Sequence, residues 1–339
     1  MQEDLIKIIE TNHIDFNRLD GKILLVTGAT GLIGSTLIKA ILGIADIKGF
    51  DIKLIANIRN RDKFNKIFSE SEKERIEVIE SEIHELDVKS YDIDYIVHGA
   101  SATASSYFVD YPAECIEIAV NGTKKVLEIA RKNDIESMVF LSTMEVYGYP
   151  DKGHIVSESE IGGLDTMVVR NCYPISKQLC ENMCASYAKE YNVPVRVARL
   201  TQTFGPGVAY SDQRVFAQFA RCAIEKQNIV LKTKGETCRC YLYTLDAVAA
   251  IFAILLNGEN KEAYTVANSD TYCSIYEMAK LVADEYGIDV VIDEQDISQC
   301  GYANTLYMNL DTTKISEIGF SPTCDLKTMY RKMIDAFLE

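Results

Sequence analysis

Thr27-Gly28-Ala29-Thr30-Gly31-Leu32-Ile33-Gly34 sets three glycines three residues apart. Residues 22–27 (KILLVT) lead into it, a short β-branched and leucine run that reads as a fully buried strand. Residues 32–42 lead out of it as a helix. A glycine triplet by itself serves many ordinary turns. After the first buried strand and at the opening of a helix, it forms the phosphate corner of a dinucleotide-binding fold. Gly28 permits the tight turn, Gly31 lets the backbone approach a pyrophosphate, and Gly34 lets the helix pack close on the sheet. Thr30, Leu32 and Ile33 complete this expected cofactor corner, where the helix N-terminus offers free N–H groups and a positive dipole end.

Outward from this corner the chain alternates. Strands read at 51–58, 76–79, 95–98, 138–141 and 195–200, and helices at 61–72, 112–132 and 175–191. Pro112 opens the long helix, with Asp110 as its expected cap. Such alternation predicts a parallel sheet covered on both faces. After Gly205-Pro206-Gly207 the rhythm loosens into helices at 214–226, 244–257 and 274–286 with short strands between them. The tail from 301 carries turn signals at Gly319 and Ser321-Pro322 and a final helix. The expected fold is α/β: a Rossmann-like, doubly wound parallel sheet with a smaller mixed α/β C-terminal lobe that binds substrate. The expected boundaries are 1–203, including a helical extension at 1–20, and 204–339. Within the second part, about 241–267 returns to the large unit, with a strand at 263–267.

Composition narrows the function. The 339 residues suggest about two domains, and 35 Lys plus Arg against 50 Asp plus Glu give a net charge of −15. That balance argues against a nucleic-acid partner and against an anionic membrane surface. It leaves room for small anions held by local N–H groups and a few arginines. The N-terminus opens acidic (Met1-Gln2-Glu3-Asp4), with no basic stretch before an apolar one, so no secretory signal is read. No apolar run reaches the roughly 18–20 residues needed to span a bilayer. The ten cysteines are scattered, and neither Cys180 with Cys184 nor Cys238 with Cys240 has zinc-like company. Reduced packing thiols, no metal and a cytoplasmic location are expected.

The end of the second strand bears on the cofactor. An acidic residue there would accept a hydrogen bond from the adenosine ribose. Ala56-Asn57-Ile58-Arg59-Asn60-Arg61 has none, and Arg59 and Arg61 suit a 2′-phosphate. NADP(H) is therefore favoured over NAD(H).

Tyr173-Pro174-Ile175-Ser176-Lys177 places Tyr and Lys on one face of a helix start. An ammonium beside a phenol is expected to lower its pKa from about 10 toward neutrality. Such a tyrosine can move the proton of a sugar hydroxyl while hydride moves to or from nicotinamide. About thirty residues earlier, Thr143 closes the fifth strand, on the ligand edge of a parallel sheet.

Together these stretches resemble the extended short-chain dehydrogenase/reductase family, in its nucleotide-sugar epimerase/dehydratase group. The resemblance rests on TGATGLIG at 27–34, VHGAS at 97–101, STMEVYG at 142–148, YPISK at 173–177, RLTQTFGPG at 199–207 and CRCYLYTLDAV at 238–248. Their order and spacing make it far more specific than any single motif. The resemblance implies that Thr143, Tyr173 and Lys177 are catalytic and that His98, Gly99 and Ala100 line the cofactor. It places a substrate diphosphate near Arg239 and Arg214, with Gln202 beside the substrate. It also implies a homodimer joined in a four-helix bundle by the helices at about 112–131 and 174–191. His98 reads more readily as packing under the cofactor than as a participant in the chemistry.

Departures from the family pattern shape the expectations. Met144 stands where dTDP-glucose 4,6-dehydratases carry an acid, and a thioether donates no proton. Glu145 is retained, either as a base at C5 of the sugar or as an acceptor for nearby N–H groups. Ala119 and Gln202 each replace an asparagine. The leading reading is an NAD(P)-dependent enzyme that oxidises a nucleotide-activated sugar to a keto intermediate, epimerises, dehydrates or decarboxylates it, and returns the hydride. The alternative is an NADPH-dependent reductase of a nucleotide-linked keto sugar or keto-polyol. A third reading, a non-catalytic dinucleotide sensor, sits poorly with Thr143, Tyr173 and Lys177 all being present.

Overall fold

A computed structural model of the chain describes residues 2–102, 105–294 and 305–339. The first half alternates as follows: α1 (Gln2–Thr11), β1 (Lys22–Thr27), α2 (Leu32–Lys48), β2 (Ile52–Ile58), α3 (Arg61–Ile67), α4 (Glu70–Lys73), β3 (Ile76–Glu80), β4 (Tyr95–His98), α5 (Ser105–Asp110), α6 (Pro112–Asn133) and β5 (Ser137–Thr143). Next come β6 (Ile155–Val156), α7 (Cys172–Tyr191), β7 (Val195–Leu200), β8 (Gln202–Phe204), α8 (Val215–Glu225), β9 (Ile229–Leu231), β10 (Cys238–Tyr243) and α9 (Thr244–Asn257). The chain finishes with β11 (Ala263–Val266), β12 (Asn268–Ser274), α10 (Ile275–Tyr286), β13 (Val290–Ile292), β14 (Tyr307–Leu310), α11 (Thr313–Glu317) and α12 (Leu326–Leu338).

Seven strands form a parallel sheet in the order β11-β7-β5-β4-β1-β2-β3. Its central strands are apolar on both faces, because helices cover both. Every residue of β5 is buried. One face carries α2 and α9, and the other α6 and α7. Helix α9 is buried from Thr244 to Leu256, which explains its apolar composition on all sides. The fold is the expected Rossmann-like α/β sheet with a smaller mixed sheet, ordered β12-β10-β14-β6 with β8 added to β10. Of the tail read from 301 onward, residues 301–304 lie outside the described set.

The expected returning strand is β11, which pairs in parallel with β7. Other expectations change in detail. The helix expected over 61–72 is two short helices. The break comes at Phe68 and Ser69, where Ser69 and Glu72 form a capping box that starts a new helix. Asp110 ends α5 instead of capping α6, whose cap residue is Tyr111 and has no side-chain cap bond. Helix α7 starts at Cys172, three residues earlier than expected, so Tyr173 already lies in its first turn. The nine described cysteines are free.

Candidate active site

The phosphate corner is tight for reasons of backbone contact. Gly28 has φ +71, and a Cβ there would stand 2.7 Å from the Gly99 carbonyl carbon and 2.8 Å from the Ala100 nitrogen. A Cβ on Gly34 would stand 2.4 Å from the Gly28 oxygen. No side chain caps the N-terminus of α2 at Gly31, so its first N–H groups stay available to an anion. A cavity beside the corner is lined by Gly28, Thr30, Gly31, Arg59, Lys63 and Ala100, among others. This uncapped, glycine-only cradle fits a dinucleotide.

Arg59 and Arg61 part company in the structure. Arg59 is exposed and borders the cavity, whereas Arg61 pairs with Glu80 at 3.3 Å. Lys63, one turn into α3, joins Arg59 there, and the sequence reading missed it. Asn57 donates to Ser81 and to the Ile79 carbonyl, tying β2 to the far side of β3.

His98 is buried. Its Nδ1 is 2.7 Å from the Thr27 hydroxyl and its Nε2 is 3.3 Å from that of Thr123. Burial, helped by the Lys177 charge, pushes its pKa down to about 3. A neutral, doubly tethered imidazole ties β4 to β1 and α6.

Thr143, Tyr173 and Lys177 do come together. The Thr143 side chain acts on the Tyr173 hydroxyl as a polar neighbour, and its Oγ1 accepts from the Glu145 N–H at 3.3 Å. Lys177 Nζ donates to the Leu141 carbonyl at 2.8 Å and lies 6.0 Å from the Tyr173 ring centre. The expected fall of the Tyr173 pKa does not occur here. Burial pushes it up, the Glu145 carboxylate adds to the rise, and Thr143 only partly opposes them. Desolvation also lowers the pKa of Lys177. Withdrawal from water outweighs a cation that is directed at a carbonyl.

Two neighbours escaped the sequence reading. Phe108 on α5 stacks on Tyr173 with ring centres 4.3 Å apart. Arg170 sits over Phe108 at 4.9 Å and pairs with Glu145 at 3.1 Å. No local pattern marks either residue, since Phe108 meets Tyr173 only after α5 folds over the head of α7. Glu145 is thus an ion-pair partner as well as a neighbour of the phenol. Met144 is buried, and its sulfur receives the Thr201 hydroxyl at 3.2 Å.

Gln202 and Arg239 lie on adjacent strands β8 and β10. Gln202 Oε1 and Arg239 Nε are both buried without a hydrogen-bond partner. Two such orphans suit a polar ligand, because buried polar atoms are otherwise paired. Arg214 is elsewhere. It precedes α8, is held bidentately by Asp212, and lines a cavity of about 600 Å³ that also touches Thr30, Gly31 and Lys63.

Comparison with known proteins places this geometry in context. UDP-glucuronic acid decarboxylase 1 of Xenopus tropicalis is 28% identical over 268 residues, which cover 79% of this chain and 61% of that protein. The chain thus spans about 61% of that relative's length. A UDP-glucose 4-epimerase from Thermotoga maritima, solved with UDP-glucose, has a similar fold. Its TM-score is 0.79 at 21% identity, covering 93% of this chain and 98% of that one. A dTDP-glucose 4,6-dehydratase from Streptomyces venezuelae, solved with NAD, gives a TM-score of 0.77 at 22% identity, covering 93% and 97%. The profile of the NAD dependent epimerase/dehydratase family matches residues 24–268. That span takes in the glycine corner, the Thr143, Tyr173 and Lys177 group, Gln202 and Arg239, and the chain belongs to the NAD dependent epimerase/dehydratase family.

Proposed function

We propose that the protein oxidises a nucleotide-activated sugar to a transient keto sugar, alters it by epimerisation, dehydration or decarboxylation, and returns the hydride. The carrying observation is the grouping of Thr143 at the end of β5 with Tyr173 and Lys177 at the head of α7, on the sheet edge that also carries the glycine corner. A nicotinamide dinucleotide, when bound, supplies the hydride acceptor and its positive ring charge. Tyr173 as its phenolate takes the proton of the reacting hydroxyl and becomes a neutral phenol, Thr143 holds that oxygen in line, and the Lys177 ammonium stabilises the phenolate before the transfer. Glu145 handles a proton on the neighbouring carbon, and Arg170 holds the carboxylate in place. Gln202 and Arg239 receive the nucleotide diphosphate and sugar, while Arg214, held by Asp212, lines the separate cavity beside the glycine corner. Buried Met144 donates no proton, which weighs against dehydration. The decarboxylase relatives weigh toward loss of CO2.

The test is a panel of UDP-, dTDP-, GDP- and CDP-sugars with NAD(H) and NADP(H), together with mass spectrometry of any nucleotide that co-purifies. Conversion of a nucleotide sugar with no net cofactor change is expected. Turnover without any nicotinamide would sink the proposal.

A second reading, NADPH-dependent reduction of a keto sugar, draws support from Arg59 and Lys63, two cations in a cavity beside the glycine corner that Glu82 also lines. Stoichiometric loss of NADPH absorbance would select it. For either reading we propose NADP(H) as the preferred cofactor. Arg59→Asp should weaken NADPH binding by about 10–100-fold, the cost of one charge-assisted hydrogen bond, and spare NADH. Equal loss for both cofactors, measured by fluorescence titration, would refute the preference.

We further propose that residues up to about 203 form the cofactor part and 204–339 the substrate-binding part, with a segment at about 241–267 returning to the large unit. A homodimer through α6 and α7 fits the exposed Ile116 and Leu179 on those helices. Among the described residues no helix is long and apolar enough to cross a membrane.

A further inference from the structure

Helix α7 is fastened to the end of β5 by two side chains one turn apart. Lys177 Nζ donates to the Leu141 carbonyl at 2.8 Å, and Glu181 accepts from the Ser142 hydroxyl at 2.5 Å. The last contact belongs to a larger buried group. Arg199 on β7 is the register partner of Ser142, so both project to the face that α7 covers. The Arg199 guanidinium grips Glu181 through Nε at 3.2 Å and Nη2 at 2.8 Å, and both side chains are about nine-tenths buried. Arg199 also donates to the Glu158 carbonyl at 2.9 Å.

We propose that Glu181 is a positioning residue that sets the depth of α7 against β5 and the charge of Lys177, with Arg199 tempering its field. The proposal rests on the proton-handling role given above to Tyr173 and Lys177. Around the ammonium stand His98 from β4, Cys115 from α6, and Tyr173, Cys180, Cys184 and Glu181 on α7 itself. The imidazole is neutral, and burial keeps the three thiols protonated. Glu181 is the one carboxylate among these groups. Burial drives Lys177 toward its neutral form, and Glu181 opposes it. A neutral amine at this place would do nothing to stabilise a phenolate.

Two substitutions pull Lys177 in opposite directions. Glu181→Gln keeps a hydrogen-bonding side chain and removes the negative charge. Arg199→Met removes the counter-charge and leaves Glu181 more exposed to Lys177. The Lys177 titration is read by NMR in lysine-labelled protein without substrate, and its signal is assigned by Lys177→Arg. Glu181→Gln should shift it down by about one pH unit, and Arg199→Met should shift it up. The alkaline limb of the kcat–pH profile should move the same way in each variant, and Glu181→Asp should restore most of the loss. If Glu181→Gln folds poorly, Glu181→Leu with Arg199→Leu removes both buried charges and should still lower the Lys177 titration. An unmoved titration with only a lower Tm in both single variants would overturn the proposal. Glu181 would then simply hold β5 to β7. Failure of wild-type protein to transfer hydride with any nucleotide sugar would sink the activity reading instead, and the substrate-free titration would still decide the role of Glu181.

Discussion

Tyr173→Phe should cut turnover by about 10²–10⁴-fold, the usual contribution of one positioned acid–base group, and leave cofactor affinity within about twofold. The substitution is clean here. Phenylalanine retains the ring that stacks on Phe108 at 4.3 Å and keeps the first turn of α7 intact. It removes only the phenolic hydroxyl beside Thr143. Lys177→Ala is a poorer probe, because Lys177 also anchors α7 to the Leu141 carbonyl. Measuring kcat on the converted nucleotide sugar, with cofactor Kd alongside, separates chemistry from binding. Unchanged turnover would remove Tyr173 from the mechanism. Equal loss of cofactor binding would mean that the ring, not the proton, mattered.

The second large effect concerns Gly34→Ala. Its Cβ would sit 2.4 Å from the Gly28 oxygen and 3.0 Å from the Ala29 Cα. These are backbone atoms, so the contact is relieved only if α2 moves away from the turn. A shift near 1 Å at a positioned binding group can cost about 10²-fold, and that is the loss of cofactor affinity expected. Strain of this kind also costs about 1–3 kcal/mol of stability. Gly43→Ala, on the same helix, serves as the control. Its Cβ would meet only the Leu5 side-chain tip at 2.5 Å, which can swing aside. Titration of the cofactor against both variants, with their Tm values, checks the contrast. Normal affinity in Gly34→Ala would show that the corner is looser than its contacts imply.

Much of this architecture can be read from local patterns. The strands β1, β4 and β7 announce themselves as short β-branched runs, and the glycine spacing marks the corner. The break between α3 and α4 is less visible. Ser69 and Glu72 do carry a capping-box spacing, but within a charged stretch that also suits one continuous helix. The site is legible where its residues share an element, as Tyr173 and Lys177 do. Arg170 with Glu145, Phe108 on Tyr173, and Arg199 with Glu181 are contacts across 18 to 65 positions of sequence. They depend on strand register and helix docking, which no short window of sequence encodes. The Tyr173 pKa departs from the expectation of its spacing for a related reason. Spacing tells which charges are neighbours, and only packing tells how far water has been withdrawn.

The edge strand β11 has a consequence for how the chain folds and how it can be cut. Residues 263–266 complete the large sheet from between β10 and β12 of the smaller one, and β6 reaches into the smaller sheet from between β5 and α7. The polypeptide is therefore laced through both layers, and no single peptide bond separates them. A fragment ending near residue 203 would leave β7 as a bare edge, with Val195 and Val197 beside unpaired N–H and C=O groups. Such an edge invites pairing with another chain. Closing the sheet must also wait for a loop of more than sixty residues, a long-range step of the kind that slows folding. The interleaving that holds the cofactor corner and the Gln202–Arg239 pair in one frame makes them inseparable during synthesis as well.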